Sequence, residues 1–140
     1  MRMTGKRVLT VGVFDLLHFG HFELFRHAKE FVGDGGLLIV AVQDDDSVTR
    51  YKSHARLVYD WNTRAKMIQT LRYVDCVVPY DDVDSFVMRT EFDVFAVGGD
   101  QNHPCFQRAV KWSEENGRRV VRLSWTDGIS SSQLRCGGSQ

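Results

Sequence analysis

The stretch Gly12-Val13-Phe14-Asp15-Leu16-Leu17-His18-Phe19-Gly20-His21 carries the residue types best suited to chemistry in this chain. His18 and His21, three positions apart at a helix start, share one face, and Gly20 between them leaves room for a ligand to approach the backbone. The free N–H groups and positive dipole end of such a helix favour anions, and two imidazoles beside them add donors that can follow charge as it develops. The arrangement suits phosphate. A structural reading stands next to it, in which one histidine caps the helix and the other is a satisfied surface residue. Zinc needs further ligands, and no histidine or cysteine is placed beside the pair to supply them.

Those residues must be held by the elements around them. Arg7 to Val13 reads as a buried strand and Leu37 to Val42 as another, each a continuous apolar run. Between them Leu24, Phe25, Ala28, Phe31 and Val32 recur at helical spacing until Gly33-Asp34-Gly35-Gly36 stops the helix. The alternation continues with a helix capped by Asp60 and running through Leu71, a strand Val74–Val78 stopped by Pro79, and a short helix from Asp84 to Glu91. A strand from Phe92 to Val97, a helix from Pro104 to Asn116 and a strand from Arg119 to Leu123 follow, then one or two helical turns from Ile129 to Arg135. Strands alternating with helices at this spacing predict one doubly wound, Rossmann-like α/β domain over residues 1–136 with a five-stranded parallel sheet; residues 137–140 read as a flexible tail or linker.

Ligands of such sheets bind beyond the carboxyl ends of the strands, where strand order reverses. The polar residues at those ends are Phe14-Asp15 with the histidines, Gln43 to Asp46, Gly98-Gly99-Asp100, and Trp125-Thr126-Asp127-Gly128. After the second strand Arg50, Lys52, His54 and Arg56 alternate with Tyr51, Ser53 and Ala55, which sets four cationic groups along one edge of an extended segment. That segment is either a phosphate-facing loop or a solvated basic one.

Composition excludes several classes. With 140 residues, 18 Lys+Arg against 18 Asp+Glu and a formal net charge of +0, no uniform field recruits nucleic acid or an anionic membrane. The 43% hydrophobic share is that of a globular domain, not of a disordered chain. No run matches a signal peptide or a membrane helix, which points to the cytoplasm. Cys76, Cys105 and Cys136 are odd in number and lack metal-ligand spacing, so free thiols are expected, with Cys76 in the core.

The chain resembles the nucleotidylyltransferase superfamily that carries the His-x-Gly-His signature, and within it the cytidylyltransferases that act on glycerol 3-phosphate. The resemblance runs from about Lys6 to Arg135 and rests on three separated motifs: the Gly12–His21 stretch, Arg72-Tyr73-Val74-Asp75, and Asp127-Gly128-Ile129-Ser130-Ser131-Ser132. It implies attack by a substrate phosphate on the α-phosphate of CTP, with Mg²⁺ accompanying the triphosphate and pyrophosphate leaving. Carried over residue by residue, it implies that His18, His21 and Lys52 are catalytic. Val13, Phe14, Gly20, Arg72, Asp75, Gly98, Asp100, Thr126, Ile129, Ser130 and Ser131 would bind the nucleotide; Asp15, Asp45, Arg64 and Trp125 would meet the acceptor. No protein metal ligand is expected. A homodimer is, with the helix carrying Arg64 and Arg72 near its interface.

Two departures from the family pattern fall where the acceptor should lie. Trp125 stands where close members carry an arginine, and the segment between Asp45 and Arg64 is longer than in the glycerol-phosphate enzymes. An indole cannot neutralise a phosphate, so either Arg119 or Arg122 compensates from the strand and the acceptor is glycerol 3-phosphate, or the acceptor is a smaller or less polar alcohol such as 2-hydroxyethylphosphonate. The alternatives are an adenylyltransferase acting on a sugar phosphate, and a catalytically weak nucleotide-binding module fused to or excised from a larger bifunctional enzyme.

Overall fold

A computed structural model describes residues 6–51, 56–99, 101 and 103–123. Five parallel strands, β1 (Arg7–Gly12), β2 (Leu37–Gln43), β3 (Cys76–Tyr80), β4 (Val94–Gly98) and β5 (Arg119–Leu123), form one sheet in the order β3-β2-β1-β4-β5. The helices are α1 (Phe19–Glu30), α2 (Asp45–Tyr51), α3 (Trp61–Gln69), α4 (Val83–Met88) and α5 (Pro104–Glu115). This is the doubly wound α/β architecture that the alternation of strands and helices predicts.

Strand periodicity explains why both faces are covered. Along β2, Leu38, Val40 and Val42 turn to one side and pack with Leu24, Phe25 and Ala28 of α1 and Ile68 of α3. Ala41 turns to the other, into a second core with Val83, Phe86 and Val87 of α4 and Cys105 and Ala109 of α5. Successive side chains of a strand point to opposite faces, so a strand buried on both sides must be apolar throughout. Val8 and Leu9 of β1, and Val94 and Phe95 of β4, divide in the same way.

The chain builds β1, β2 and β3 outward in one direction and then returns to place β4 on the other side of β1. The reversal lies between β1 and β4. Their register covers Val8↔Val94 and Leu9↔Phe95, whereas β1 stays paired with β2 as far as Gly12↔Val42. Beyond Leu9 and Phe95 the carboxyl ends of β1 and β4 therefore diverge, leaving the crevice that such sheets use for ligands.

Several local expectations change. The segment after β2 begins as a helix: Asp44 accepts from Ser47 N–H at 2.7 Å and starts α2, which carries Arg50 and Tyr51, while residues 52–55 of the expected extended stretch lie outside the described residues. Three consecutive aspartates ahead of Ser47 are a helix-start signal that the alternation of basic residues obscured. Pro79 does not stop β3 but lies within it. The strand is at the sheet edge, where a proline's missing N–H costs no ladder bond. Cys76, expected in the core, is exposed because it opens that edge strand, while Cys105 is buried.

Candidate functional site

β1 ends at Gly12, and the chain turns sharply through Phe14, a non-glycine residue at φ 54. A phenylalanine pays strain to occupy the left-handed region, and its surroundings hold it there. Its buried ring meets His21 edge-on at 5.4 Å and Phe25 at 5.3 Å, and it also covers Gly12, where a Cβ would lie 2.8 Å from the ring. Gly12 is thus required by close approach. The turn delivers Asp15 and His18 to the carboxyl edge of the sheet.

His18 is the N-cap of α1 and His21 its third residue, and the two close a reciprocal capping box. Gly20 N–H donates to His18 Nδ1 at 3.0 Å, and His18 N–H donates to His21 Nδ1 at 3.2 Å. The rings stack with centroids 4.0 Å apart, and both residues are buried. This geometry determines the tautomers. A nitrogen that accepts a backbone N–H carries no proton, so each neutral ring holds its proton on Nε2 and is a donor there.

Burial, and after it the proximity of the second imidazole, His18, holds the His21 pKa down to about 3. His21 is therefore neutral at physiological pH, a hydrogen-bond donor and not a cation. The expectation of open backbone N–H groups at the helix start needs amending, because His18 takes Gly20 N–H with its ring and His21 N–H with its carbonyl at 2.9 Å. What this capping fixes is the position of the remaining ring protons, on Nε2 of each histidine. The capping reading is realised at His18, while His21, expected at the surface if it did not bind a ligand, is buried beneath the cap.

The structure places other expected residues in different roles. Asp15 is buried and its two carboxylate oxygens accept from Val58 N–H at 2.8 Å and Tyr59 N–H at 3.0 Å. It ties the segment before α3 to the Phe14 turn. Arg64, expected to fork around an acceptor phosphate, is a buried strut: it donates from Nε to Tyr59 carbonyl at 3.1 Å, from Nη1 to Val13 carbonyl at 2.8 Å and from Nη2 to Asp45. Asp45 also accepts from Trp61 N–H at 3.2 Å, so it is spent on the same joint. These three residues tie the start of α3 to α2 and to the turn that follows β1.

Arg72 and Asp75 are not brought to the histidines. Both precede β3, at the amino edge of a parallel sheet and opposite the site. One Asp75 oxygen accepts from Leu38 N–H and from Lys29 Nζ, each at 2.7 Å, joining the starts of β2 and β3 to α1. The Arg72 guanidinium lies 5.4 Å from the centroid of the Tyr73 ring. Arg50 is also committed, with Nη2 3.1 Å from Ser47 Oγ and 3.4 Å from Asp82, which accepts from the Tyr51 hydroxyl as well. Lys52, Asp100, Trp125, Thr126, Ile129, Ser130 and Ser131 lie outside the described residues.

Gly98 does reach the crevice, as the last residue of β4. Gln101, which the sequence reading passed over, donates from Nε2 to Val11 carbonyl at 3.0 Å and accepts at Oε1 from Gly98 N–H at 2.9 Å. Its signal was its place just after the Gly98-Gly99-Asp100 turn.

The cytidylyltransferase-like family model matches residues 9–137. The chain belongs to that family. It is a nucleotidyltransferase with a Rossmann-like fold. It is 35% identical over 142 residues to a glycerol-3-phosphate cytidylyltransferase of Staphylococcus aureus, covering 93% of this chain and 92% of that protein. It is 35% identical over 145 residues to an FAD synthase of Korarchaeum cryptofilum, covering 94% and 90%. With the bifunctional protein HldE of Shewanella sediminis it shares 41% identity over 136 residues, 95% of this chain but 28% of that protein. The solved structure of a lipopolysaccharide core biosynthesis protein from Thermoplasma volcanium superposes with a TM-score of 0.71 at 27% identity, over 87% of this chain and 98% of that one. Among the described residues no helix is long and apolar enough to cross a membrane.

Proposed function

We propose that this nucleotidyltransferase transfers CMP from CTP to the phosphate or phosphonate of a small alcohol, releasing pyrophosphate and working as a homodimer. The observation that carries the reading is the stacked, reciprocally capped His18/His21 pair at the start of α1, just after the turn that ends β1, whose Nδ1 atoms accept backbone N–H groups and leave the ring protons to Nε2. An acceptor phosphate is ionised at neutral pH, so the enzyme needs no general base and no covalent intermediate. Its contribution is to position the two substrates and to supply donors to the charge that grows on the α-phosphoryl oxygens. Neutral imidazoles suit that task, since a donor locked by its neighbours pays no reorganisation when the charge develops. Lys52 would add a cation to the phosphates, and Ser130 and Ser131 hydroxyls to the outer ones.

Likeness to a glycerol-3-phosphate cytidylyltransferase along nearly the full length of both chains favours CTP and a small phosphorylated alcohol. The FAD synthase relative, matched over a similar share, favours adenylyl transfer as the second reading. Mg²⁺ would accompany the triphosphate; Asp15, the carboxylate in the turn before the histidines, already accepts two backbone N–H groups.

Pyrophosphate release, measured with CTP or ATP and with glycerol 3-phosphate or 2-hydroxyethylphosphonate, tests the reading. CTP is expected to be preferred, and His18→Ala to lower turnover by about 10²-fold or more through loss of one preorganised donor. Greater turnover with ATP moves the protein to the adenylyl branch. Near-normal turnover of the folded His18→Ala variant refutes the role of the pair.

A further inference from the structure

Gln101 is half-buried and joins two backbone groups on strands that no longer pair with each other: its Nε2 donates to Val11 carbonyl at 3.0 Å and its Oε1 accepts from Gly98 N–H at 2.9 Å. The β1/β4 ladder has ended by then, since its register covers Val8↔Val94 and Leu9↔Phe95. The carboxamide takes over where the ladder stops. A third hydrogen bond, from Gln101 N–H to Gly98 carbonyl at 3.2 Å, fixes the side chain's own backbone against the end of β4. Val11 precedes Gly12 and the strained Phe14 turn, and Gly99 N–H is bonded to Leu123 carbonyl of β5 at 3.1 Å, so this contact links both walls of the crevice.

We infer that Gln101 is a positioning residue of the nucleotide site, its carboxamide setting the spacing between the Gly12–Phe14 turn and the Gly98–Gly99 end of β4. The inference rests on the reading of the β1/β4 crevice as that site. A side chain that both donates and accepts is needed here, because one wall presents a carbonyl and the other an N–H. Glutamine does both in any protonation state, and its amide is shape-matched to the gap that opens as the strands separate. Leucine does neither. Glutamate accepts from Gly98 N–H, but its ionised carboxylate faces Val11 carbonyl with no proton to offer; once protonated, it donates as the amide does.

The test is calorimetric titration of CTP with Mg²⁺ into the wild type, the Gln101→Leu variant and the near-isosteric Gln101→Glu variant, at about pH 7.5 and about pH 4.5, with circular dichroism confirming the fold at both. Gln101→Leu is expected to weaken CTP binding about tenfold relative to wild type at both pH values, the scale of one or two lost hydrogen bonds. Gln101→Glu is expected to lose as much at the higher pH and to recover several-fold at the lower, where a carboxyl of ordinary pKa is protonated to a large fraction and regains the donated proton. Taking each variant as a ratio to wild type cancels titration of the triphosphate. A merely structural residue would lower the melting temperature and leave the CTP affinity of the folded protein unchanged. Affinities within about twofold of wild type for both variants, or a Gln101→Glu ratio that is flat with pH, overturn the inference alone. A folded wild type that binds no CTP overturns the site reading and this inference together.

Discussion

Replacing His21 by glutamine should make the protein less sensitive to acid. In the folded chain the His21 pKa lies at about 3, against 6.5 for the free side chain, because burial and the neighbouring His18 disfavour its charged form. Between those two values the unfolded chain binds a proton that the folded chain refuses, so stability rises with pH across that window. The contribution is present above about pH 6.5 and is lost as pH falls toward 3. At about pH 5 the folded ring is still neutral while the unfolded one has gained its proton over some 1.5 pH units, which amounts to about 2 kcal/mol. Glutamine at the third helical position still accepts from the cap N–H, as in the common form of the capping box, but it does not titrate. The gap in unfolding free energy between wild type and His21→Gln, from urea denaturation, should therefore shift by about 2 kcal/mol in favour of the variant between about pH 7 and about pH 5. A gap that stays constant over that range would refute the claim that the fold holds His21 neutral, and with it the view of the pair as uncharged donors.

Two further outcomes separate structural roles from substrate contacts. Arg64→Met keeps apolar bulk but strands the carbonyls of Val13 and Tyr59 in a buried joint, and should cost about 3 kcal/mol of stability; a thermal unfolding curve unchanged from wild type, accompanied by a raised acceptor KM, would return Arg64 to the acceptor-binding role. Trp125→Arg should improve kcat/KM for glycerol 3-phosphate and reduce it for 2-hydroxyethylphosphonate, since an indole face against a two-carbon chain is worth roughly 1 to 2 kcal/mol of apolar contact and a guanidinium favours a dianion or hydroxyls; an equal loss on both acceptors would remove Trp125 from selectivity.

What the sequence determines by itself is whatever depends on near neighbours along the chain. Apolar runs of strand length alternating with helical periodicity were enough for a doubly wound parallel sheet, because buried parallel strands cannot alternate with polar residues and the intervening helices need one apolar stripe. The His18-x-x-His21 spacing was enough to put two imidazoles on one turn of helix, and a cap with its third residue is itself a local arrangement. Boundaries were also close: α5 begins at Pro104, as expected of a proline in the first helical turn, and β5 runs from Arg119 to Leu123.

Tertiary structure decided which polar side chains remain available for substrate. Arg64 finds Val13 across 51 positions, Asp15 finds Val58 across 43 and Gln101 finds Val11 across 90. No spacing rule reaches those separations, because the partners are backbone groups that every residue presents and only the folded path selects among them. The same motif that places Asp75 two residues from Tyr73 is silent on which end of the sheet it occupies. There it binds Leu38 N–H and Lys29, far from the histidines, because a residue preceding a parallel strand lies at the amino edge while ligands gather at the carboxyl edge. Even the protonation of the histidine pair is a product of folding, since burial keeps His21 neutral and the backbone N–H groups at the two Nδ1 atoms leave the ring protons to Nε2.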